Sequence, residues 1–268
     1  MGISFTVLSS GSTGNATVVR NGETTLMIDA GFSAKRIDEL LAVRELTGRD
    51  IDGILVTHEH SDHIKGLGAV ARKYDLPIYA NTKTWGAIEK GIGNIAEHNR
   101  IILETGTHRD FGSMRVESFA ISHDAAEPVG YNFYDGNEKL CVATDLGYVS
   151  DKVRMALEGS DVLVLEANHD IEMLRMGRYP WNTKRRILGD MGHLSNEAAG
   201  AALSEILTGR TKRTYLAHLS LDHNMIDLAR MSVRGAMEDR GCFYKDSEFK
   251  LCDTYYDRPT PWDKVSQP

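Results

Sequence analysis

The stretch ILVTHEHSDHIKG, residues 54–66, limits the possible folds more than any other part of this chain. Ile54, Leu55 and Val56 make a short continuous apolar run, the pattern of a strand covered on both faces. That run leads straight into His58, His60, Asp62 and His63. Ionisable groups crowded at a buried strand's exit would repel or stay unpaired unless they share a cation. Side chains of an extended segment alternate in direction, so His58 and His60 project to the same side. Asp62 and His63 follow where the chain turns into a helix, and they approach from another direction. Imidazole nitrogen and carboxylate oxygen are donors that Zn²⁺, Mn²⁺ and Fe²⁺ accept. An exposed histidine-rich turn would explain an isolated HxH, but not all four residues behind an apolar strand.

One segment cannot close a coordination sphere, so further ligands are expected at other strand ends. FAISHD ends a strand at His123, VATDLG at Asp145 and YLAHLS at His218. Taken singly, each could be an ordinary polar loop residue. Gly147 would allow a tight turn after Asp145. Around these points, SFTVLSS, ATVVR and TTLMIDA predict strands joined by turns at GSTGN and NGE. GILVT, PIYA, SMRVESFAIS, PVGYNFY, KLCVATD, DVLVLEA and RTYLAHL predict further strands. Helices are expected over 33–46, 63–74, 82–91, 150–158, 169–178, 195–208 and 224–240. Hairpins followed by strands mixed with helices predict two packed sheets with helices outside, a four-layer αββα sandwich of the α/β class. The 268 residues suit one such domain over 1–268, with the proline-rich stretch 253–268 expected as a surface tail.

THEHSDH resembles the HxHxDH signature of the metallo-β-lactamase superfamily, and His123, Asp145 and His218 fall in the matching order. The resemblance covers most of the chain and implies a cofactor of two divalent metal ions, Zn²⁺ or Mn²⁺ or Fe²⁺. It implies that His58, His60 and His123 hold one metal, that Asp62, His63 and His218 hold the second, and that Asp145 bridges them. Two cations roughly 3.5–4 Å apart acidify a bridging water and position the resulting hydroxide for in-line attack. They also stabilise charge on substrate oxygens. Asp62 would bind metal and orient that nucleophile.

Other segments bear on the substrate. GHLSNEAAGAAL resembles an element of tRNase Z-type nucleases in which the histidine sits near the leaving group. The resemblance makes His193 the candidate general acid, and Glu166 in VLEANHD the acid that orients it. Ser195 can equally be read as a helix cap, which is compatible with that role. The loop SSGSTGNA offers Ser10, Ser12 and Asn15 to a phosphate, or is simply a hairpin turn. Between Glu166 and His193, the cations Arg178, Lys184, Arg185 and Arg186 alternate with Tyr179 and Trp181, either as a local phosphate groove or as a solvated helix face. His223 is a further candidate for substrate contact or for helix capping.

The net charge of −7 excludes a broadly basic nucleic-acid coat, though not a local groove. Cys141, Cys242 and Cys252 are far apart and form no CxxC pair, so a reducing, cytoplasmic setting is expected. The start of the chain has neither a basic n-region nor a long apolar run, so neither a signal peptide nor a membrane span is expected. The combined segments most closely resemble the YycJ/WalJ-type branch of the superfamily, which implies a DNA exonuclease acting from a 5′ end. A phosphodiesterase for small cyclic phosphates, or a metal-dependent nucleic-acid-binding module without turnover, would share the same ligands.

Overall fold

The computed structural model describes residues 2–267. Two seven-stranded mixed sheets form the body of the molecule. The first contains β1 (Ser4–Ser9), β2 (Ala16–Arg20), β3 (Thr25–Ile28), β4 (Gly53–Leu55), β5 (Ile78–Ala80) and β6 (Arg100–Ile102) in spatial order. The second contains β7 (His108–Phe111), β8 (Met114–Ala120), β9 (Val129–Asp135), β10 (Glu138–Ala143), β11 (Val162–Glu166), β12 (Arg213–Ala217) and β13 (Lys250–Asp253). The short β14 (Asp263–Lys264) completes the first sheet beside β1.

Period-two alternation explains the layering. In β4 and the residue after it, Leu55 packs into the core between the sheets, while Ile54 and Val56 pack outward against helices. In β11, Val162 and Val164 face the other sheet, while Leu163 and Leu165 meet the outer helices. Both faces of these strands are therefore buried, which is why they read as unbroken apolar runs. Helices Ala34–Ala42 and Leu67–Tyr74 cover the first sheet through Ile37, Leu40, Leu41 and Val70. Helices Asn196–Ile206 and Ile226–Glu238 cover the second through Leu203 and Val233. The expected αββα sandwich is the observed one. Truncating a fully buried leucine such as Leu163 to alanine would cost about 2–5 kcal/mol.

The differences from the sequence-based outline have local causes. The helix expected over 63–74 is two helices, Ser61–Ile64 and Leu67–Tyr74. The break comes where Gly66 N–H bonds Ala30 O instead of continuing the first helix. The helix expected over 33–46 ends at Ala42, and Glu45 adopts φ 58° in the turn that follows. Strands β6 and β7 were not foreseen because their side chains are largely exposed and carry no apolar alternation. The segment expected as a tail carries β14 and hydrogen-bonds the sheet. Thr260 N–H donates to Val7 O, Val7 N–H to Thr260 Oγ1, and Val265 is buried in the core between the sheets. No helix among the described residues is long and apolar enough to cross a membrane.

Strand direction gathers the polar residues. In the first sheet β3 and β4 are parallel, and β1 runs with them because β1–β2 and β2–β3 are both antiparallel. In the second sheet β10, β11 and β12 are parallel, and β8 runs with them through antiparallel β9. The residues that follow the carboxyl ends of these strands include Ser10, Asp29, His58, His123, Asp145 and His218, with Glu166 the last residue of β11. Carboxyl ends of parallel strands are where α/β sheets usually place their ligand sites.

Candidate metal centre and active site

His58 and His60 leave β4 with their rings 4.6 Å apart, and His123 packs against both at about 5 Å. One donor nitrogen from each lies within 4.8 Å of the others. His60 Nδ1 is 3.2 Å from His123 Nε2. The opposite nitrogen of His123 bonds Gly192 O at 2.9 Å, which turns Nε2 toward His60. His58 Nδ1 contacts Thr57 Oγ1 at 3.0 Å, leaving Nε2 for the shared space. Asp62, His63 and His218 form a second group within the same limit. Asp62 Oδ2 is 3.5 Å from both His63 Nε2 and His218 Nε2. Asp145 lies between the groups, 3.1 Å from His63 Nε2 and 3.7 Å from His123 Nε2.

Charge is distributed unevenly across the cluster. Burial disfavours charge on His63 and His218, yet Asp145 with Asp29 pushes His63 up, and Asp145 with Asp62 and Glu166 pushes His218 up to about 10. Burial pushes His58 and His123 toward the neutral form that donates a lone pair. Burial opposes ionisation of Asp62 and Asp145, yet the facing histidines hold both carboxyls well below the usual range. Two buried atoms are aimed into this space: His58 Nε2 has no hydrogen-bond partner among the described residues, and Asp145 Oδ2 has none beyond its 3.1 Å contact with His63 Nε2. Orphaned polar atoms of this kind are costly unless something else satisfies them. The donor set and these two atoms fit divalent metal ions.

Backbone conformation aims the ligands. Asp145 and His218 have φ of 59° and 54°, the left-handed region that non-glycine residues seldom occupy. Such outliers cluster where surrounding structure holds a functional group in place. Gly147, expected to supply the tight turn, has another role, since the turn residue is Asp145 itself. A Cβ at Gly147 would fall 2.0 Å from Asp190 O, so glycine lets the segment before His193 pack closely. Gly31 is also fixed by crowding, because a Cβ there would lie 1.8 Å from Asp62 O.

Glu166, fully buried at the end of β11, organises the far side. Its Oε1 faces His193 Nδ1 at 2.8 Å and His218 Nδ1 at 3.0 Å. Its Oε2 accepts the backbone N–H groups of Leu146 and Leu194. Burial disfavours the Glu166 carboxylate, but His193 and His218 hold it ionised. Both oxygens are thus engaged by the protein, and one also lies in a donor group with Asp145, His193 and His218. Ser195 caps the helix that follows, accepting from Ala198 N–H.

Residues 24–219 match the beta-lactamase superfamily domain. The chain belongs to the metallo-β-lactamase superfamily. It is 54% identical to the exodeoxyribonuclease YycJ of Bacillus anthracis, across 97% of this chain and 98% of that relative. It is 43% identical to the exodeoxyribonuclease WalJ of Streptococcus pneumoniae, across 99% of each. The crystal structure of the metallo-β-lactamase fold protein YhfI from Bacillus subtilis matches with a TM-score of 0.72 at 16% identity, covering 97% of this chain and 99% of that one. The chain is therefore an enzyme of the metallo-β-lactamase hydrolase type, with the fold and family expected.

The substrate candidates of this metallo-β-lactamase-fold enzyme fall into distinct groups. Ser10 is buried with Oγ accepting His218 N–H at 2.8 Å, so it holds a metal-ligand candidate in position. Asn15 Nδ2 reaches Asp62 Oδ2 and His63 Nε2 at 3.3 and 3.1 Å. Ser12, Arg178 and Arg185 are exposed. Arg186 forms a two-pronged ion pair with Asp124, whose Oδ1 is 3.5 Å from His123 Nε2. Lys184 and His223, two of the candidates for substrate contact, are buried. Lys184 Nζ donates to Arg175 O at 2.6 Å, which ties helix Trp181–Leu188 to the preceding helix. His223 is buried against Tyr179, ring centroids 4.4 Å apart, and its carbonyl accepts Asp170 N–H.

Two supporting residues escaped the sequence analysis. Asp29 Oδ2 lies 2.7 Å from His63 Nδ1 and accepts Thr57 Oγ1–H, while Oδ1 accepts Thr57 N–H. It fixes which His63 nitrogen faces the metal space. Its only sequence signal is an acid closing the apolar run TLMID, and nothing local pairs it with a histidine 34 residues away. Asp124 has no sequence signal of its own beyond standing next to His123.

Proposed function

We propose that this enzyme is a dinuclear metal-dependent DNA exonuclease acting from a 5′ end. In this reading His58, His60 and His123 hold one cation, Asp62, His63 and His218 the other, and Asp145 serves both. The carrying observation is the convergence of these donors beside a histidine locked to a buried carboxylate. The substrate class rests on the two relatives named exodeoxyribonucleases.

When bound, such cations act as Lewis acids toward phosphate oxygens and lower the pKa of coordinated water. The remaining chemistry belongs to side chains of this chain. Asp62, partly exposed beside the donor cluster, can accept a hydrogen bond from the attacking water and orient it. His193 directs Nδ1 at Glu166, so its Nε2 can deliver a proton to the departing sugar oxygen. The buried Glu166 carboxylate keeps that ring in orientation. Arg178 and Arg185, exposed on the segment before His193, can follow the phosphate backbone.

The test uses metal-loaded protein with 5′-labelled and 3′-labelled DNA, single- and double-stranded, and His193→Ala in parallel. Mononucleotides released progressively from the 5′ end are the expected result, with cleavage strongly reduced in the variant. No cleavage of any strand under any divalent metal would remove the nuclease reading.

A further inference from the structure

Next to the donor cluster is a cavity of about 250 Å³ that the catalytic reading leaves unused. Its floor starts at Ser10, the residue whose hydroxyl holds His218 N–H. One wall is the loop after His218, where Leu221 and Met225 are exposed at 50% and 60%. The other wall comes from the far end of the chain, where Tyr256 is 48% exposed and Arg258 stacks over the Tyr255 ring at 3.9 Å.

The walls are fixed relative to the site. Ser10 N–H donates to Tyr255 O, and Ser9 Oγ donates to Tyr256 O at 2.7 Å. Thr254 Oγ1 donates to Leu216 O in β12, two residues before His218. Thus the C-terminal segment presents an aromatic face at a defined position beside the metal-ligand candidates. The volume lies below the roughly 300–1,000 Å³ usual for drug-sized ligands, and suits one planar heterocycle. A solvent-facing tyrosine, a guanidinium held flat by its neighbour and two flexible apolar side chains offer stacking without a base-specific hydrogen-bond pattern.

We propose that this cavity is a base-stacking subsite, in which Tyr256, Leu221 and Met225 hold the nucleobase adjoining the scissile phosphate. The proposal rests on the nuclease reading and assigns it a positioning element. A base seated there anchors its nucleotide against the Ser10 side of the site and sets the phosphate over the donor cluster. Stacking of this kind tolerates all four bases, as a nuclease without sequence preference requires.

The experiment compares oligonucleotides carrying one abasic residue, moved stepwise from each end, on wild type, Tyr256→Ala, Tyr256→Phe and Leu221→Ala. Wild type should lose about tenfold in kcat/KM when the abasic residue occupies one particular position. Tyr256→Ala should show that loss already on intact DNA, mainly in KM, and almost no further loss at that position. Tyr256→Phe should behave as wild type, since the ring and not the hydroxyl acts. Leu221→Ala should weaken discrimination at the same position, and it guards against misfolding of the tyrosine variant. An abasic penalty of equal size in wild type, Tyr256→Ala and Leu221→Ala overturns the subsite. Absence of cleavage by wild type overturns the nuclease reading itself, so the two failures are distinguishable.

Discussion

His193 Nδ1 lies 2.8 Å from Glu166 Oε1, and that same oxygen faces His218 Nδ1 at 3.0 Å. One buried carboxylate therefore sets the orientation of both a proposed acid and a proposed metal ligand. Its second oxygen accepts Leu146 and Leu194 N–H, so all its capacity is used on one side or the other.

Glu166→Gln should be worse than isosteric. An amide has one acceptor oxygen, and its NH₂ group must face either two backbone N–H groups or two histidine N–H groups. Leaving buried donors unpaired costs on the order of 3 kcal/mol in total, which thermal or urea unfolding would measure. Activity should fall together with stability. His193→Ala should instead leave unfolding and metal content near wild type while kcat drops by about 10²–10⁴. Loss of metal from the alanine variant would reassign His193 as a ligand.

Asp29→Ala should weaken metal binding without touching a proposed ligand. Asp29 holds His63 Nδ1 at 2.7 Å and so presents the other nitrogen to the donor cluster. Removing such a support typically costs about 10–100-fold in metal affinity. Competition against a chelator gives the number, and unchanged affinity would show that Thr57 suffices to orient the ring.

Chelation should lower the unfolding temperature as well as abolish activity. With no cation, His58 Nε2 remains buried without a partner, and the Asp62 and Asp145 carboxylates depend on His63 and His218 alone for their counter-charge. A metal at a hundred times its dissociation constant adds about 2.7 kcal/mol to the folded state. Scanning calorimetry with and without chelator, followed by metal add-back, checks both effects. An unfolding temperature indifferent to metal would count against a resident ion.

Arg185→Glu and Arg186→Glu should differ. Arg185 is exposed, whereas Arg186 is paired to Asp124. Reversing Arg185 should weaken DNA binding and lower the steepness of its salt dependence by about one phosphate contact. Hydrolysis of a small phosphodiester by the same variant should be unchanged. Reversing Arg186 sets two acids against each other beside His123, so both substrates should suffer. Equal, small effects of Arg185→Glu on both substrates would favour a small-molecule phosphodiesterase.

Much of the site could be read from strand ends. The HxHxDH cluster, His123, Asp145 and His218 each stand after an apolar run, and short-range periodicity is enough to locate such runs. Glu166 and His193 were legible by resemblance to a known family. Lys184 and His223 show the limit of that reading. A lysine in a basic helix looks the same in sequence whether it faces solvent or donates to Arg175 O. A histidine after a strand end looks the same whether open or covered by Tyr179.

Sequence alone determined the layered fold and the donor types, because alternation and local crowding are properties of neighbouring residues, and the family followed from the resemblance of its motifs. Tertiary structure decided which nitrogen of His63, His123, His193 and His218 points inward, since that depends on Asp29, Gly192 O and Glu166, all remote along the chain from the rings they hold. It also decided that residues 254–265 belong to the working architecture. Their hydrogen bonds to β1 and to the loop before Asn15 join opposite ends of the chain, and no local pattern encodes a contact across some 250 residues.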